Sequence, residues 1–287
     1  PIKEMKIKKN KKKNNLNILL KKIITKRQIS DVPVAILLSS GIDSNIIKYM
    51  SPNISNYFSG GLKNDNEVQY LKKKYINRQK INIIEVSSAE YKKKFEELIK
   101  LKCEPLSVPN EVVLSLIAKF AKKKGFKVLM SGEGADEFFA GYDRIFRWAA
   151  NSKKFDLNKF CELYCYNKID KKNLLKLKKF FFSIKHFNSF NKVKAFFLKI
   201  HLPILLRRLD FSLMSSGVEG REPFVSKELF YESIKYHSKE LVNKDLGKIP
   251  LREVLRNYTG KEFSYREKIG FPINLKKVFG IKKNLSI

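Results

Sequence analysis

Residues 33 to 44 read Pro-Val-Ala-Ile-Leu-Leu-Ser-Ser-Gly-Ile-Asp-Ser, a short apolar run that ends in small residues and leads into the helix-like stretch Asn45-Ile46-Ile47-Lys48-Tyr49-Met50. An unalternated apolar run of this length reads as a strand buried on both faces, the habit of parallel sheets. The loop then lies at the strand's C-terminal end and opens a helix, where free backbone N–H groups and the positive dipole end favour a polyphosphate. Gly41 lets the backbone approach an anion closely, and the hydroxyls of Ser39 and Ser44 can donate to phosphate oxygens. Asp43 would repel a phosphate unless a divalent cation lay between them, so its presence points to Mg²⁺. The plainer alternative is a serine-rich turn that caps a helix, with Asp43 as a first-turn acid.

A second segment repeats the same logic about ninety residues later. The apolar run Phe126-Lys127-Val128-Leu129-Met130 leads into Ser131-Gly132-Glu133-Gly134-Ala135-Asp136-Glu137 and then an aromatic helical stretch. Two such loops at the C-terminal ends of strands in one parallel sheet face the same crevice. Clustering Glu133, Asp136 and Glu137 is costly unless a metal, a cation or a substrate amine neutralises them. A bland acidic turn would not need Gly132 and Gly134 around Glu133.

The pair SSGIDS and SGEGADEFFAGYDR resembles the synthetase domain of glutamine-dependent asparagine synthetases, in the ATP-pyrophosphatase (PP-loop) superfamily. Further matches follow in the family's order: Arg208-Leu209-Asp210 with Met214, Glu219-Gly220-Arg221-Glu222-Pro223-Phe224, Lys248 with Leu251-Arg252, and Arg266-Glu267-Lys268-Ile269-Gly270-Phe271. The resemblance covers roughly residues 20 to 275. Some positions depart from it. Ser40 stands where the family loop usually has Gly, and a Cβ there needs a negative φ. Ser226 replaces an acid, Phe211 replaces a frequent base, and Cys103-Glu104-Pro105 keeps only Glu104 of an acidic element. These changes leave the acceptor substrate open.

The resemblance implies ATP and Mg²⁺ as cofactors. It assigns nucleotide binding to Leu38, Ser39, Ser40, Gly41, Asp43, Ser44, Gly60, Ser131 and Gly132, and metal binding to Asp43 and Asp136. The catalytic residues it implies are Glu133, Asp136 and Lys268, the carboxylates handling an amino-acid amine or a proton from ammonia and the lysine stabilising phosphate charge. The implied reaction is ATP-dependent amide formation through an acyl-adenylate, from aspartate or a similar carboxylate. A relative amidating another carboxylate, for instance in surface-polysaccharide pathways, a tRNA-modifying PP-loop enzyme and a non-catalytic module are the alternatives. The family takes ammonia from an N-terminal glutaminase domain led by Cys. A chain that starts at Pro1 is expected to be a fragment, or to use ammonia from a separate subunit; a homodimer is compatible with either.

The fold expected is an α/β, doubly wound parallel sheet of PP-loop type followed by a mainly helical half. The strands expected are 34–38, 56–59, 81–86 and 127–130, with helices from Leu16 to Ile24, from Asp43, near 67–75, and over 89–101 and 110–124. The division is a lysine-rich linker over 1–15, an α/β nucleotide-binding region over 16–150, and helices over 151–287. The aromatics of Phe180-Phe181-Phe182 read as core. His186, His201 and His237 fall outside every motif and read as structural, and Arg221 reads equally well as an ion-pair partner of Glu219.

Among 287 residues, 43% are hydrophobic, enough for a substantial core, and no apolar run approaches the roughly 20 residues of a membrane span. No signal peptide is visible, and Cys103, Cys161 and Cys165 form neither a disulfide framework nor a zinc set, so a reducing cytoplasm is the expected compartment. The net charge of +32 suggests nucleic acid, but Lys is spread along the whole chain beside abundant Asn and Ile. That pattern is a compositional bias rather than a binding stripe, and no specific nucleic acid partner is expected.

Overall fold

The computed structural model describes residues 13–75, 80–165, 168–266 and 273–280. All four expected strands form: β1 (Val34–Leu37), β2 (Asn56–Leu62), β3 (Lys80–Val86) and β4 (Val128–Met130). A fifth, β5 (Glu219–Arg221), comes from the half expected to be helical. The sheet order is β3-β2-β1-β4-β5, and every neighbouring pair is parallel. The chain therefore steps outward from β1 to β3 and then crosses to β4 on the other side, which makes the gap between β1 and β4 the topological switch point.

β5 carries no apolar run because an edge strand needs only its main chain: Glu219 N–H donates to the Lys127 carbonyl at 2.8 Å, and Ser131 N–H to that of Arg221 at 2.8 Å. Gly60 and Gly61 do not end β2, since the ladder with β3 continues to Leu62 opposite Val86. Arg221 has a structural role. It donates to Glu219 at 2.7 Å and to the carbonyls of Arg27 and Ile29 at 2.9 and 2.7 Å, holding the end of the first helix, α1 (Leu16–Arg27).

Strand alternation sorts the core into two clusters. Ile36, Tyr57 and Met130 pack on one face of the sheet with α1, α2 (Ile42–Tyr49) and α3 (Asn66–Tyr75). Ala35, Phe58 and Leu129 pack on the other, with α4 (Ser88–Lys102) and α5 (Asn110–Lys123). Beyond β4 the chain forms α6 (Ala135–Phe139), α7 (Asp143–Asn151), α8 (Leu157–Tyr164), α9 (Lys171–Ser183) and α10 (Ser189–Phe196). A π-helical turn, Phe197–His201, joins α10 to α11 (Leu202–Met214). The later helices are α12 (Lys227–Ser233), α13 (Ser238–Leu241), α14 (Ile249–Thr259), α15 (Lys261–Ser264) and α16 (Leu275–Phe279).

In the lead segment, Lys13 pairs with Glu240 and Asn14 donates to Glu232 at 2.8 Å, while residues 1–12 lie outside the described residues. Among the described residues no helix is long and apolar enough to cross a membrane. The cysteines are free.

The aromatic run divides by helical geometry. Phe181 is buried, but Phe182 on the opposite side of α9 is 70% exposed. Phe160 is fully buried among Tyr164, Phe181 and Phe196, with ring centroids 4.9 to 5.6 Å away. Phe160→Ala is therefore expected to cost about 3–5 kcal/mol in denaturant unfolding. Phe182→Ala should stay within about 0.5 kcal/mol of the parent.

Candidate active site

The loop after β1 and the loop after β4 meet at the switch point and line one crevice of about 340 Å³. Leu38, Ser39, Gly41, Asp43, Ser44, Gly60, Ser131, Gly132, Glu133 and Asp136, all named from sequence, border it. Phe58, Val113, Ile117 and Leu209 make its wall apolar. The loops touch closely: a Cβ on Gly132 would lie 2.7 Å from Asp43 Cβ and 3.1 Å from Ser44 N, so only glycine fits. Gly132→Ala is an overpacking change, expected to lower unfolding stability by about 1–3 kcal/mol and to open the crevice.

The first loop is held by its own serines. Ser39 and Ser44 hydroxyls lie 2.9 Å apart, Ser39 N–H donates to Ser44 Oγ at 3.0 Å, and Gly41 N–H to Ser39 Oγ at 3.1 Å. Gly41 is the N-cap of α2, and no side chain caps that end. The first-turn dipole is therefore directed at the crevice.

Ser40 faces away. Its φ is not positive, which is why a side chain is tolerated there, and its hydroxyl and N–H both donate to the buried Glu67. Burial raises the Glu67 carboxyl above its usual range, against the lowering effect of the Ser40 hydrogen bonds and of Arg266. Arg266 in turn donates to the Ser40 carbonyl. Ser40 thus borders an adjoining small cleft with Asp136, Lys248, Arg252 and Arg266.

Lys248 is the residue that sequence reading passed over as a site member. Its ammonium lies 2.6 Å from Asp43 Oδ2 and 2.7 Å from Asp136 Oδ1, with only 5% of the side chain exposed. It bridges the two carboxylates to which metal binding was assigned from sequence. The position is built: Lys248 adopts φ +57° at the start of α14, its N–H donates to the Phe139 carbonyl at 3.2 Å, and a Cβ on Gly141 would lie 2.0 Å from its Cε. Among the described residues no group of three or more His, Cys, Asp or Glu side chains is placed to hold a metal. Two carboxylates, Asp43 and Asp136, converge on Lys248, and two carboxylates suit Mg²⁺ only where a substrate's phosphate oxygens complete the set.

Glu133 is paired with Arg208 of α11, whose side chain is 8% exposed. Removing the carboxylate would leave a buried guanidinium uncompensated, so its loss is a structural change as well as a chemical one. Beside it, Glu137 is buried and accepts from Tyr142 Oη at 2.6 Å; burial and then Asp136 push its carboxyl up to about 7. Tyr142 Oη also lies 3.0 Å from His201 Nε2, and His201 Nδ1 lies 2.9 Å from Tyr164 Oη. His201 therefore stands behind Tyr142, which borders the crevice, although no local motif marks it. Lys268 lies outside the described residues.

The departures from the resemblance have local explanations. Ser226 is the N-cap of α12, accepting from Leu229 N–H at 3.2 Å, a role Asp and Ser perform equally. Phe211 lies under Lys102, 5.2 Å from ring centroid to ammonium, and Glu104 pairs with the exposed Arg207 at 2.9 Å. None of these borders the crevice.

Burial, then the Arg208 charge, lowers His201 from 6.5 to about 4. The stability gained by keeping it neutral is fully present above about pH 6.5 and is lost as pH falls toward 4. Glu137 and Glu222, both raised to about 7 chiefly by burial, act in the opposite sense and lose stability as pH rises from 4.5 to 7. His201→Gln should therefore gain stability relative to the parent as pH falls from 6.5 to 4, read from denaturant midpoints across that range.

A family model for asparagine synthase matches residues 15–284. The chain is 27% identical over 303 residues to asparagine synthetase [glutamine-hydrolyzing] 1 of Bacillus subtilis, covering 86% of this chain and 47% of that protein. It is 27% identical over 277 residues to asparagine synthetase [glutamine-hydrolyzing] 2 of Oryza sativa subsp. japonica, covering 87% and 40%. A putative asparagine synthetase [glutamine-hydrolyzing] 1 of Methanocaldococcus jannaschii is 27% identical over 245 residues, covering 81% and 38%. The chain thus spans less than half the length of each of these relatives.

Proposed function

We propose that this chain, which belongs to the asparagine synthase family, binds ATP at the β1–β4 switch point and uses it to convert a carboxylate, aspartate in the first place, into an amide. The observation that carries this reading is the convergence of two strand-end loops, an uncapped helix N-terminus and the Asp43–Lys248–Asp136 cluster on one crevice with an apolar wall. An apolar slot beside anion-binding amides suits a nucleotide, the base lying against Phe58, Val113 and Ile117 near Gly60.

Activation requires the carboxylate oxygen to attack the α-phosphorus while the bond to the β-phosphate breaks. Lys248 and the amides at the start of α2 are placed to stabilise the departing pyrophosphate. Mg²⁺ would be held by Asp43, Asp136 and the nucleotide's own phosphates, where it supplies further charge neutralisation. Ammonia then attacks the acyl carbon, AMP leaves with the bonding electron pair, and the nitrogen sheds a proton toward the carboxylates around Glu133. Glutamine hydrolysis, which the relatives' names declare, is the source of that ammonia in this reading.

Incubation with Mg²⁺-ATP, aspartate and ammonium should yield AMP and pyrophosphate, and ADP in their place would reject the reading. Glu133→Gln keeps a hydrogen-bond acceptor for Arg208 while removing its countercharge. It should retain aspartate-dependent pyrophosphate exchange while amide formation falls by the roughly 10² to 10⁴ of a lost general base. Equal loss of both activities would move Glu133 to substrate binding.

A further inference from the structure

Glu137 and Tyr142, His201, and Tyr164 come from three separate stretches of chain and form one continuous hydrogen-bonded series that meets the crevice at Tyr142. Its polarity follows from proton counting. With Glu137 ionised, Tyr142 has one hydroxyl proton and gives it to that carboxylate. The 3.0 Å contact between Tyr142 Oη and His201 Nε2 must then carry the imidazole's proton, so Nε2 is the protonated nitrogen. Nδ1 of the neutral ring is left to accept from Tyr164 Oη at 2.9 Å.

The arrangement is held rigidly. Tyr142 stacks on Phe197 with ring centroids 4.3 Å apart and an interplanar angle of 15°. His201 meets Phe197, Tyr142 and Tyr164 edge-on. The π-helical turn that delivers both Phe197 and His201 is a rare conformation that recurs at functional sites.

With its proton committed and one lone pair engaged by His201, the oxygen of Tyr142, a residue that borders the crevice, is left to act as an acceptor only. A substrate carboxylate finds no donor there, and the acids Glu133, Asp136 and Glu137 surround it, two of them balanced by Arg208 and Lys248. An N–H group suits it. We propose that Tyr142 accepts a hydrogen bond from the nitrogen nucleophile, and that His201 is the positioning residue that keeps the tyrosine oxygen turned to receive it. This rests on the amide-forming reading above and names the place where its second substrate is held.

The test uses ammonium chloride as nitrogen source with Mg²⁺-ATP and aspartate. Tyr142→Phe should raise the KM for ammonia by about three- to tenfold, the loss of one net hydrogen bond, with aspartate-dependent pyrophosphate exchange within about twofold of the parent. His201→Phe should move the ammonia KM in the same direction, and His201→Gln, which keeps an N–H donor, should recover most of it. An unchanged ammonia KM in Tyr142→Phe, or an equal loss of exchange and amide formation, overturns the proposal. Absence of exchange in the parent would instead sink the amide-forming reading. In that event ¹⁵N NMR of the histidines, with His201 assigned by its loss in His201→Gln, still decides the relay: a proton on Nε2 supports it and a proton on Nδ1 overturns it.

Discussion

The ammonium of Lys248 between Asp43 and Asp136 is the contact on which the site's architecture depends. It ties the helix that follows β1, the helix that follows β4 and the start of α14 into one point. Without it two largely buried carboxylates would face each other uncompensated, a costly arrangement in a low-dielectric setting. The surrounding backbone shows what is required to hold it: a left-handed lysine, a glycine at 141 with no room for a Cβ, and a hydrogen bond from Lys248 N–H to Phe139. A cation already in place also poises the site electrostatically for a polyanion, since the charge that neutralises the acids is available to phosphate oxygens.

A second tie stands behind the first. Ser40 turns its hydroxyl and N–H to Glu67, and Arg266 reaches the Ser40 carbonyl, so the loop after β1 is gripped at a second point. The two ties divide the loop's work. Ser39, Gly41 and Ser44 remain directed at the crevice, while Ser40 fixes the backbone that presents them. A loop that binds phosphate through amides gains from such fixing, because little ordering is left to the moment of binding.

The helical half is a wall of the site and not an appendage. It supplies β5 to the sheet, Arg208 to Glu133, His201 to Tyr142 and Lys248 to the two aspartates. Its aromatic core around Phe160 and Phe196 reaches Phe197 and Tyr164, the residues that hold His201 in place. Packing density is thus transmitted directly to a hydrogen-bond geometry in the crevice.

The sequence by itself determined the first four strands, the helices between them and both crevice loops. Each rests on local signals: an unbroken apolar run for a doubly buried strand, and small residues where backbone must approach an anion. It also determined the meeting of Ser39, Asp43, Ser44, Gly132, Glu133 and Asp136, because parallel order brings strand ends to one edge. Only the tertiary structure decided that a lysine more than two hundred residues from Asp43 would stand between two aspartates, that Ser40 would face a buried glutamate, and that His201 would complete a chain from Tyr164 to Glu137. β5 was likewise decided there, by main-chain pairing alone. The reason is common to all four. Charge pairing, hydrogen-bond direction and edge pairing depend on distances in space between segments remote in the chain, and no local pattern of residues encodes them.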